Sequence, residues 1–322
     1  MTIDWQPSCS LELLQLRAAV LRTIRAYFYE QEVLEVETPI LCQSIGTDPY
    51  LDFFSTDFAA KSYYLQTSPE FSMKRLLAAG MGSCYQITKS FRQGEAGRYH
   101  NPEFTILEWY RVGFDLSDLM DDVENLLCPL LRDTRFNGSV ERCAYVDIFQ
   151  KYTGLNPLQF SLPAYQAVAE KFNCSDAHQL CGEDHSLWLD FLFSLCVQNE
   201  LGKKGVCMIY NYPACLPSLA RLNKDNELLS ERVEVFVNGI EMGNGYFELT
   251  DVVEQEKRFE REIELRKQNK STAVNKDARF LAALNSGLPD CSGLAIGLDR
   301  LLMVLSDQDK IANVLAFSIE NA

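Results

Sequence analysis

The stretch Gly-Leu-Ala-Ile-Gly-Leu-Asp-Arg occupies residues 293–300, and an apolar run follows it at residues 301–305. This pattern predicts a short strand at 294–296 that leads into a helix beginning at Gly297. Glycine lets the backbone approach a ligand closely, and the start of a helix favours anionic groups. Arg300, in the first turn of that helix, is therefore a candidate phosphate ligand.

A second segment with matching chemistry lies about two hundred residues earlier, at Phe91-Arg92 and His100-Asn-Pro-Glu-Phe104. Strands are predicted at 84–91 and 104–112, so the polar residues between them form a long hairpin loop, and long loops in compact domains are usually functional. A guanidinium at the base of this loop is suited to bidentate binding of phosphate. Together, Arg92 and Arg300 predict an enzyme that binds a nucleoside triphosphate.

Three glutamates, Glu234, Glu241 and Glu248, recur at a regular seven-residue interval. Because side chains alternate across a strand, such an interval changes face unless turns or bulges re-aim the chain. Gly239 and the Gly243–Gly245 pair predict such turns. Grouped carboxylates suit Mg²⁺ that is bound to phosphates. The alternative is an acidic surface hairpin.

Another acidic group comprises Glu70, in the first turn of a predicted helix, with Glu108 and Tyr110 on one face of a predicted strand. Carboxylates in a cleft beside a triphosphate need a cationic partner. A substrate with two amines would supply it. The alternative is ordinary ion pairing with Lys74 or Arg75.

The composition limits the classes of function. The chain has 322 residues, 47% of them hydrophobic, with a formal net charge of −15. Such an acidic protein is poorly suited to broad contact with a nucleic-acid backbone, which depends on lysine and arginine. Eleven cysteines occur without a Cys-x-x-Cys pair, and no signal peptide or transmembrane run is visible. Reduced thiols in a cytoplasmic protein are expected.

One further cluster contains residue types that bind zinc. Cys174, His178, Cys181 and His185 lie close together in the sequence. Their spacing matches no common structural zinc site, so a polar connecting segment is the preferred interpretation.

The order of predicted elements indicates an α+β fold, with a mainly antiparallel sheet flanked by helices. A helix at 11–32 precedes a segment of strand character at 33–40, which Pro39 closes. Further helices are predicted at 116–131 and 252–268, and residues 160–200 are mostly helical.

These segments resemble the signature motifs of class II aminoacyl-tRNA synthetases: motif 1 at 33–40, motif 2 at 88–110 and motif 3 at 293–305. Lysyl-tRNA synthetases are similar at Ser68-Pro-Glu70, His100 to Thr105 and Glu241 to Leu249. The resemblance extends over residues 1–322 as a single catalytic domain, and no N-terminal anticodon-binding OB domain is expected. The whole pattern, including Glu108 to Arg111 and Leu288 to Gly293, is most similar to the bacterial ligases that attach (R)-β-lysine to elongation factor P.

The resemblance implies a role for each site residue. Arg92 and Arg300 would be catalytic and hold the α- and γ-phosphates, with Phe104 stacked on adenine. The expected ATP-binding residues are Arg92, Gly94, Glu95, His100, Asn101, Phe104, Glu241, Met242, Gly297 and Arg300. Glu234 and Glu241 are the expected Mg²⁺ ligands. The expected substrate-binding residues are Ser68, Pro69, Glu70, Glu108, Tyr110, Asn244, Glu248 and Ala295.

The implied reaction activates (R)-β-lysine, and α-lysine more weakly, as an adenylate and transfers it to a lysine of elongation factor P. A cytoplasmic homodimer without stable tRNA binding or membrane association is expected. The sequence departs from lysyl-tRNA synthetases at Gly94, where they have glutamate, and at Tyr99, where they have arginine. Ser68 and Ala295 replace their alanine and glycine, and are candidate causes of a β-amino-acid preference.

Two alternatives remain at this point. One is a synthetase paralogue that charges tRNA or a small molecule. The other is a catalytically inactive regulatory protein, although Arg92, Arg300, Glu234 and Glu241 are all retained.

Overall fold

A computed structural model describes residues 5–216 and 218–322. The chain divides into two compact units, Met1–Phe114 with Leu249–Ala322, and Asp115–Glu248. Each unit is described by itself, and the single catalytic domain expected from the sequence stays a prediction. Among the described residues, no helix is both long and apolar enough to cross a membrane.

The first unit contains most of the predicted phosphate and amine ligands. Its N-terminal part comprises α1 (Leu11–Glu30), β1 (Leu34–Glu35), β2 (Leu41–Cys42), β3 (Ser55–Phe58), β4 (Lys61–Leu65), α2 (Glu70–Ala78), β5 (Cys84–Phe91) and β6 (Glu103–Val112). The second unit comprises α3 (Leu116–Leu131), β7 (Glu141–Ala144), α4 (Tyr145–Thr153), α5 (Leu162–Lys171), α6 (Ala177–Cys181), α7 (His185–Leu192), β8 (Cys207–Pro213), β9 (Leu229–Val237) and β10 (Ile240–Phe247). The chain then completes the first unit with α8 (Val252–Gln268), α9 (Ala278–Gly287), β11 (Cys291–Gly297) and α10 (Leu298–Leu305).

The strands of each unit pair mainly antiparallel. In the first unit the order is β1-β5-β6-β11, with only β1 and β5 parallel, and a smaller antiparallel sheet has the order β2-β4-β3. In the second unit the order is β10-β9-β8-β7, with only β7 and β8 parallel. The predicted α+β class, mainly antiparallel with helices, is therefore confirmed.

Helix α1 covers the strands that carry the site. Phe28, on its buried stripe, stacks on Tyr85 of β5 at 4.3 Å between ring centroids, and it lies 5.7 Å from Trp109 of β6. Burial of these rings removes large apolar surfaces from water and fixes β5 and β6 in place.

The predicted strand at 33–40 is wrong over most of its length. Only Leu34–Glu35 pair with β5, although the backbone N–H of Val36 still donates to the carbonyl of Tyr85 at 2.8 Å. Beyond it, the hydroxyl of Thr38 donates to the side chain of Gln86 at 2.9 Å. Pro39 has no N–H to give to a sheet ladder, so the strand ends before it.

The core of the second unit includes residues 160–200, for which the sequence predicts only that they are mostly helical. Tyr145 of α4 stacks on Phe149 at 5.6 Å and on Phe193 at 5.1 Å, and Trp188 of α7 is fully buried. These aromatic contacts hold the helices of residues 145–197 in one cluster with strands β8 and β9. Their packing accounts for the apolar residues of this region.

Candidate active site

The motif 2 loop joins β5 to β6 and carries the predicted ATP ligands. The two strands pair from Cys84 opposite Tyr110 to Phe91 opposite Glu103, so the predicted hairpin is confirmed. At the base of the loop, the backbone N–H of Arg92 donates to the carbonyl of Pro102 at 2.9 Å. Arg92 therefore leaves the sheet at a fixed point.

Gly94 in this loop explains one departure from the synthetase pattern. Its φ of 83° lies in the left-handed region, which glycine adopts readily and glutamate does not. The next residue, Glu95, carries the carboxylate instead. The backbone path thus accounts for a glycine where lysyl-tRNA synthetases have an acid.

The two predicted arginines are linked through two loop side chains. A guanidinium nitrogen of Arg92 lies 3.5 Å from Glu95, and His100 Nε2 lies 3.8 Å from the other oxygen of Glu95. Arg300 donates to the same His100 nitrogen at 2.7 Å. Because guanidinium groups only donate, Nε2 accepts this bond. The structure therefore brings Arg92, Glu95, His100 and Arg300 into one connected group.

Arg300 is held by the start of α10. Gly297 is the residue before the helix and pairs with Ile106 of β6. Asp299 is buried, accepts a hydrogen bond from the backbone N–H of Thr105 at 2.7 Å, and forms an ion pair with Arg17. Asp299 and Arg17 were not predicted, although an acid directly before the motif 3 arginine was a visible signal. They fix the first turn of α10 against β6.

The guanidinium of Arg92 is placed to bind an anion. Its guanidinium carbon lies 5.2 Å from the centroid of the Phe104 ring, within the range of a cation–π contact. Its Nε is buried and has no hydrogen-bond partner within residues 5–216 and 218–322. A buried donor of this kind is costly unless a ligand such as a phosphate oxygen satisfies it.

Asn101 is placed by the C-terminal segment of the chain. Its amide donates to the carbonyl of Glu103 at 2.6 Å, and its oxygen accepts from the backbone N–H of Ile319 at 3.1 Å. The side chain is buried, so both contacts restrict its rotation.

The predicted amine ligands surround a buried carboxylate on β6. Glu108 is only 2% exposed; it accepts hydrogen bonds from the hydroxyls of Ser68 at 2.8 Å and Tyr110 at 2.7 Å. Ala295 of β11 is its cross-strand partner. Four of the predicted substrate-binding residues, Ser68, Glu108, Tyr110 and Ala295, are thus neighbours in the first unit.

Glu70 forms an ion pair with Lys74, which is one of the alternatives that the sequence left open. Pro69 precedes α2, and the backbone N–H of Glu70 donates to the hydroxyl of Ser68 at 3.0 Å. Its carboxylate pairs with the ammonium of Lys74 at 2.5 Å, one turn along the helix, whereas Arg75 is exposed. Glu70 therefore already has a cationic partner next to the Ser68–Glu108 pair.

The charge state of Glu108 is perturbed. Burial raises its pKa to about 7, and the nearby negative charge of Glu70 adds to the shift. The hydrogen bonds from Tyr110 and Ser68 and the charge of Lys74 act in the opposite direction. A buried carboxylate of this kind binds a cation favourably because the cation offsets the lost hydration.

The second unit presents its predicted ligands on one face of the β9–β10 hairpin. Glu234 is opposite Asn244, Arg232 is opposite Tyr246, and the register shifts between Glu241 and Gly243. This bulge supplies the extra residue that keeps the seven-residue spacing on one face. The predicted re-aiming of the chain at the glycines is confirmed.

The side chains of this face form a network that the sequence did not predict. Arg232 donates to Glu234 at 2.5 Å and to the oxygen of Asn244 at 3.2 Å, and Asn244 donates to the hydroxyl of Tyr246 at 2.8 Å. The hydroxyl of Tyr212 on β8 donates to the second oxygen of Glu234 at 2.6 Å. The predicted residues Met242 and Glu248 on the same segment are buried.

The carboxylates of this face fit a divalent cation by charge. Burial raises the pKa of Glu234 to about 7; Arg232 lowers it, and the negative charge of Glu241 raises it further. One guanidinium thus balances two carboxylates. Although both oxygens of Glu234 accept hydrogen bonds, an ionised carboxylate keeps further lone pairs for a metal.

Three side chains of the cysteine and histidine cluster contact other residues of the second unit. His185 Nε2 lies 3.0 Å from the hydroxyl of Tyr165, and the thiol of Cys181 lies 3.7 Å from the carbonyl of Leu187. The thiol of Cys174 contacts the carbonyl of Phe172 at 3.6 Å. In the part of the chain that the structure describes, no group of three or more His, Cys, Asp or Glu side chains could hold a metal ion.

Comparison with known proteins agrees with this architecture. The model of the family "tRNA synthetases class II (D, K and N)" matches residues 2–321. A protein of Pasteurella multocida (strain Pm70) is 42% identical, over 99% of this chain and 98% of its own length. A protein of Vibrio cholerae serotype O1 (strain ATCC 39315 / El Tor Inaba N16961) is 42% identical, over 99% of both chains. Both are named elongation factor P–(R)-β-lysine ligase. The chain therefore belongs to the class II tRNA synthetases of the D, K and N group.

Proposed function

We propose that this protein is an ATP-dependent ligase that activates (R)-β-lysine and attaches it to a lysine of elongation factor P. The names and full-length similarity of its relatives support the reaction. The observation that carries the proposal is the buried Glu108, bonded to Ser68 and Tyr110, on the strand that also carries Phe104. The ammonium groups of a substrate can pair with this carboxylate, and phosphate groups can pair with Arg92 and Arg300.

In the first step, a carboxylate oxygen of β-lysine forms a bond to the α-phosphorus of ATP while the bond to the β-phosphate oxygen breaks. The products are the aminoacyl-adenylate and pyrophosphate. Arg92 stabilises the charge that develops on the α-phosphate, and Arg300 holds the γ-phosphate. Positioning and electrostatic stabilisation supply the catalysis, so no side-chain nucleophile is needed.

In the second step, the ε-amine of the acceptor lysine attacks the carbonyl carbon of the adenylate. The C–N bond forms, the bond to the AMP oxygen breaks, and the amine loses a proton. The product is an amide on a protein, not an ester on tRNA.

The remaining ATP ligands are proposed from the resemblance to lysyl-tRNA synthetases. His100, Asn101 and the loop residues Gly94 and Glu95 line the nucleotide, with Met242 and Gly297 against it. Glu234 and Glu241 would hold Mg²⁺, which neutralises charge on the phosphates when bound.

The substrate ammonium groups are recognised by carboxylates. Glu70 takes the amine near the reacting carboxyl group, and Glu248, Tyr110 and Asn244 take the terminal ammonium, with Glu108 near. Leaving such carboxylates unpaired penalises substrates without two amines by about 10⁴-fold. A one-carbon shift of an amine is worth only about 1–3 kcal/mol. Ser68 and Ala295, which contact or face Glu108, are the candidates for that smaller preference for β- over α-lysine.

The intact mass of elongation factor P tests this proposal, after incubation with the protein, ATP, Mg²⁺ and (R)-β-lysine. α-Lysine and bulk tRNA form parallel arms. A gain of one β-lysyl unit, larger than with α-lysine and without tRNA charging, is expected. Amino-acid-dependent pyrophosphate exchange without this gain would point to another acceptor. Absence of exchange would favour an inactive regulatory protein.

The same proposal includes a cytoplasmic homodimer that does not bind tRNA stably. The net charge of −15 supports the last part, because nucleic-acid backbones are bound mainly by lysine and arginine.

A further inference from the structure

Lys74 is a buried cation inside the pocket proposed to bind amines. Its side chain is 1% exposed, its ammonium lies 2.5 Å from Glu70, and it lies 5.9 Å from the ring centroids of both Tyr110 and Phe280. Burying a charged lysine is costly unless it is paired. The ion pair with Glu70 and the two aromatic faces offset that cost, so the ammonium is held in one place.

A fixed cation beside an amine site would repel the amines of the substrate, so its presence needs an explanation. The carboxylates of Glu70 and Glu108 repel each other, and a nearby cation offsets that repulsion. Burial is the largest cause of the raised pKa of Glu108; the charge of Glu70 raises this pKa further, and the charge of Lys74 lowers it. Without Lys74, Glu108 would be protonated over more of the neutral range and would attract an ammonium less.

We propose that Lys74 is a positioning residue of the amine pocket: its ammonium fixes the carboxylate of Glu70 and supplies the positive charge that offsets the repulsion between Glu70 and Glu108. This inference rests on the proposed function. Lys74 touches the pocket carboxylate Glu70 and the ring of Tyr110 and need not contact the reacting atoms.

The groups around Glu108 single out Lys74 as the source of positive charge. Helix α2 contributes Glu70 and Lys74, and strand β6 contributes Tyr110. On β5, Gln86 pairs with Glu108, and the thiol of Cys84 is neutral because burial and Glu108 raise its pKa to about 12. On β11 the opposite residue is Ala295. Of these neighbours, only Lys74 favours the ionised carboxylate through a positive charge.

The test measures the dissociation constant of (R)-β-lysine by calorimetry between pH 6 and 9, for the wild type and Lys74→Met. Loss of the ammonium raises the pKa of Glu108, so tight binding should require a higher pH in the variant than in the wild type. At pH 7 binding should weaken about tenfold, and most of the loss should disappear at pH 9. The dissociation constant for ATP should stay unchanged.

Two further variants make the result specific. Lys74→Gln keeps a donor for Glu70 without the charge and should show the same shift, which covers the case that Lys74→Met fails to fold. Arg75→Met removes a charge from an exposed position on the same helix and should keep the wild-type pH profile.

Weakening of β-lysine binding by the same factor at every pH would assign Lys74 a structural role and overturn the inference, as would unchanged binding. Pyrophosphate exchange on the same wild-type sample separates this from the proposed function. If the wild type binds β-lysine but does not exchange pyrophosphate, the proposed function fails and the pH profiles still decide the role of Lys74. A wild type that does not bind β-lysine overturns both.

Discussion

Glu108 is the residue whose protonation decides whether the amine pocket carries a second negative charge. Because its pKa is raised to about 7, it loses its charge as the pH falls through neutrality. We therefore expect kcat/KM for β-lysine in pyrophosphate exchange to rise between pH 6 and 8. Glu108→Gln should lower kcat/KM at pH 8 about 10²-fold and remove this rise. If kcat/KM of the Glu108→Gln variant still rises between pH 6 and 8 as in the wild type, another group causes that rise.

Arg92 and Arg300 are the residues on which adenylate formation depends in the proposed mechanism. Arg92→Ala and Arg300→Ala should each reduce the rate of pyrophosphate exchange by about 10²–10³-fold, because each removes a preorganised donor to a phosphate. Their thermal unfolding should remain close to that of the wild type, since both side chains are partly exposed. Arg261→Ala, an exposed arginine on α8, is the control. Near-normal exchange in either site variant would remove that arginine from the mechanism.

At the scale of elements, the C-terminal segment ties down the motif 2 loop. The side chain of Arg98 donates to the carbonyl of Asp309 at 2.9 Å, and the N–H of Ile311 donates back to the carbonyl of Arg98 at 2.9 Å. The N–H of Ile319 donates to Asn101 at 3.1 Å. This loop is proposed to line ATP, so the segment should preorganise nucleotide binding.

Removal of residues 319–322 tests that connection. The deletion removes the hydrogen bond to the buried Asn101 and also the hydrogen bonds of Asn321 with Ser8, Gln6 and Ser318, which lie outside the motif 2 loop. Loss of the bond to Asn101 should cost about 1 kcal/mol, equivalent to about a fivefold higher KM for ATP. The KM for β-lysine should change little. Removal of Ala322 alone retains the contact and serves as the control. An unchanged KM for ATP in the shorter protein would mean that Asn101 is held adequately by Glu103.

The elements that the sequence predicted well are those with strong local patterns. The hairpin around Arg92 and helix α8 follow from periodicity, and α8 was predicted with its observed bounds, Val252–Gln268. The prediction of a strand at 33–40 was wrong over most of that range, because only Leu34–Glu35 pair with β5. Strand β10 has only a weak local pattern, because its glycines have low strand propensity and its pairing with β9 depends on a bulge.

The site shows the same division between local and long-range information. Arg92, Arg300 and the glutamates were visible from motifs. The contacts of Lys74 with Tyr110 and of Tyr212 with Glu234 join residues far apart in the sequence, and no local pattern encodes such pairs. Burial is the largest cause of the raised pKa of Glu108 and Glu234, and long-range contacts with Lys74 and Tyr212 oppose it. Neither burial nor these contacts can be read from local sequence, so the pKa shifts follow only from the structure.

At the scale of the whole molecule, the remaining proposal is a homodimer formed through the motif 1 region. Tyr29 at the end of α1 is 84% exposed and Leu34 on β1 is 52% exposed, and Ile40 and Leu41 are also exposed. The surface around Tyr29 and Leu34 borders a cavity of about 430 Å³, also lined by Arg25, Val33 and Tyr85. Exposed apolar side chains in and beside the motif 1 region at 33–40 are suited to burial against a second copy.

Light scattering coupled to gel filtration tests the dimer directly. At micromolar concentration the wild type should have twice the 36.6 kDa mass of the chain, because burial of these side chains favours association. Leu34→Asp places a charge in the proposed interface and should shift the mass toward the monomer, with a parallel loss of thermal stability. Leu180→Asp alters a still more exposed leucine on α6 and should leave the dimer intact. A monomeric wild type, or dissociation by Leu180→Asp but not by Leu34→Asp, would contradict an interface at motif 1.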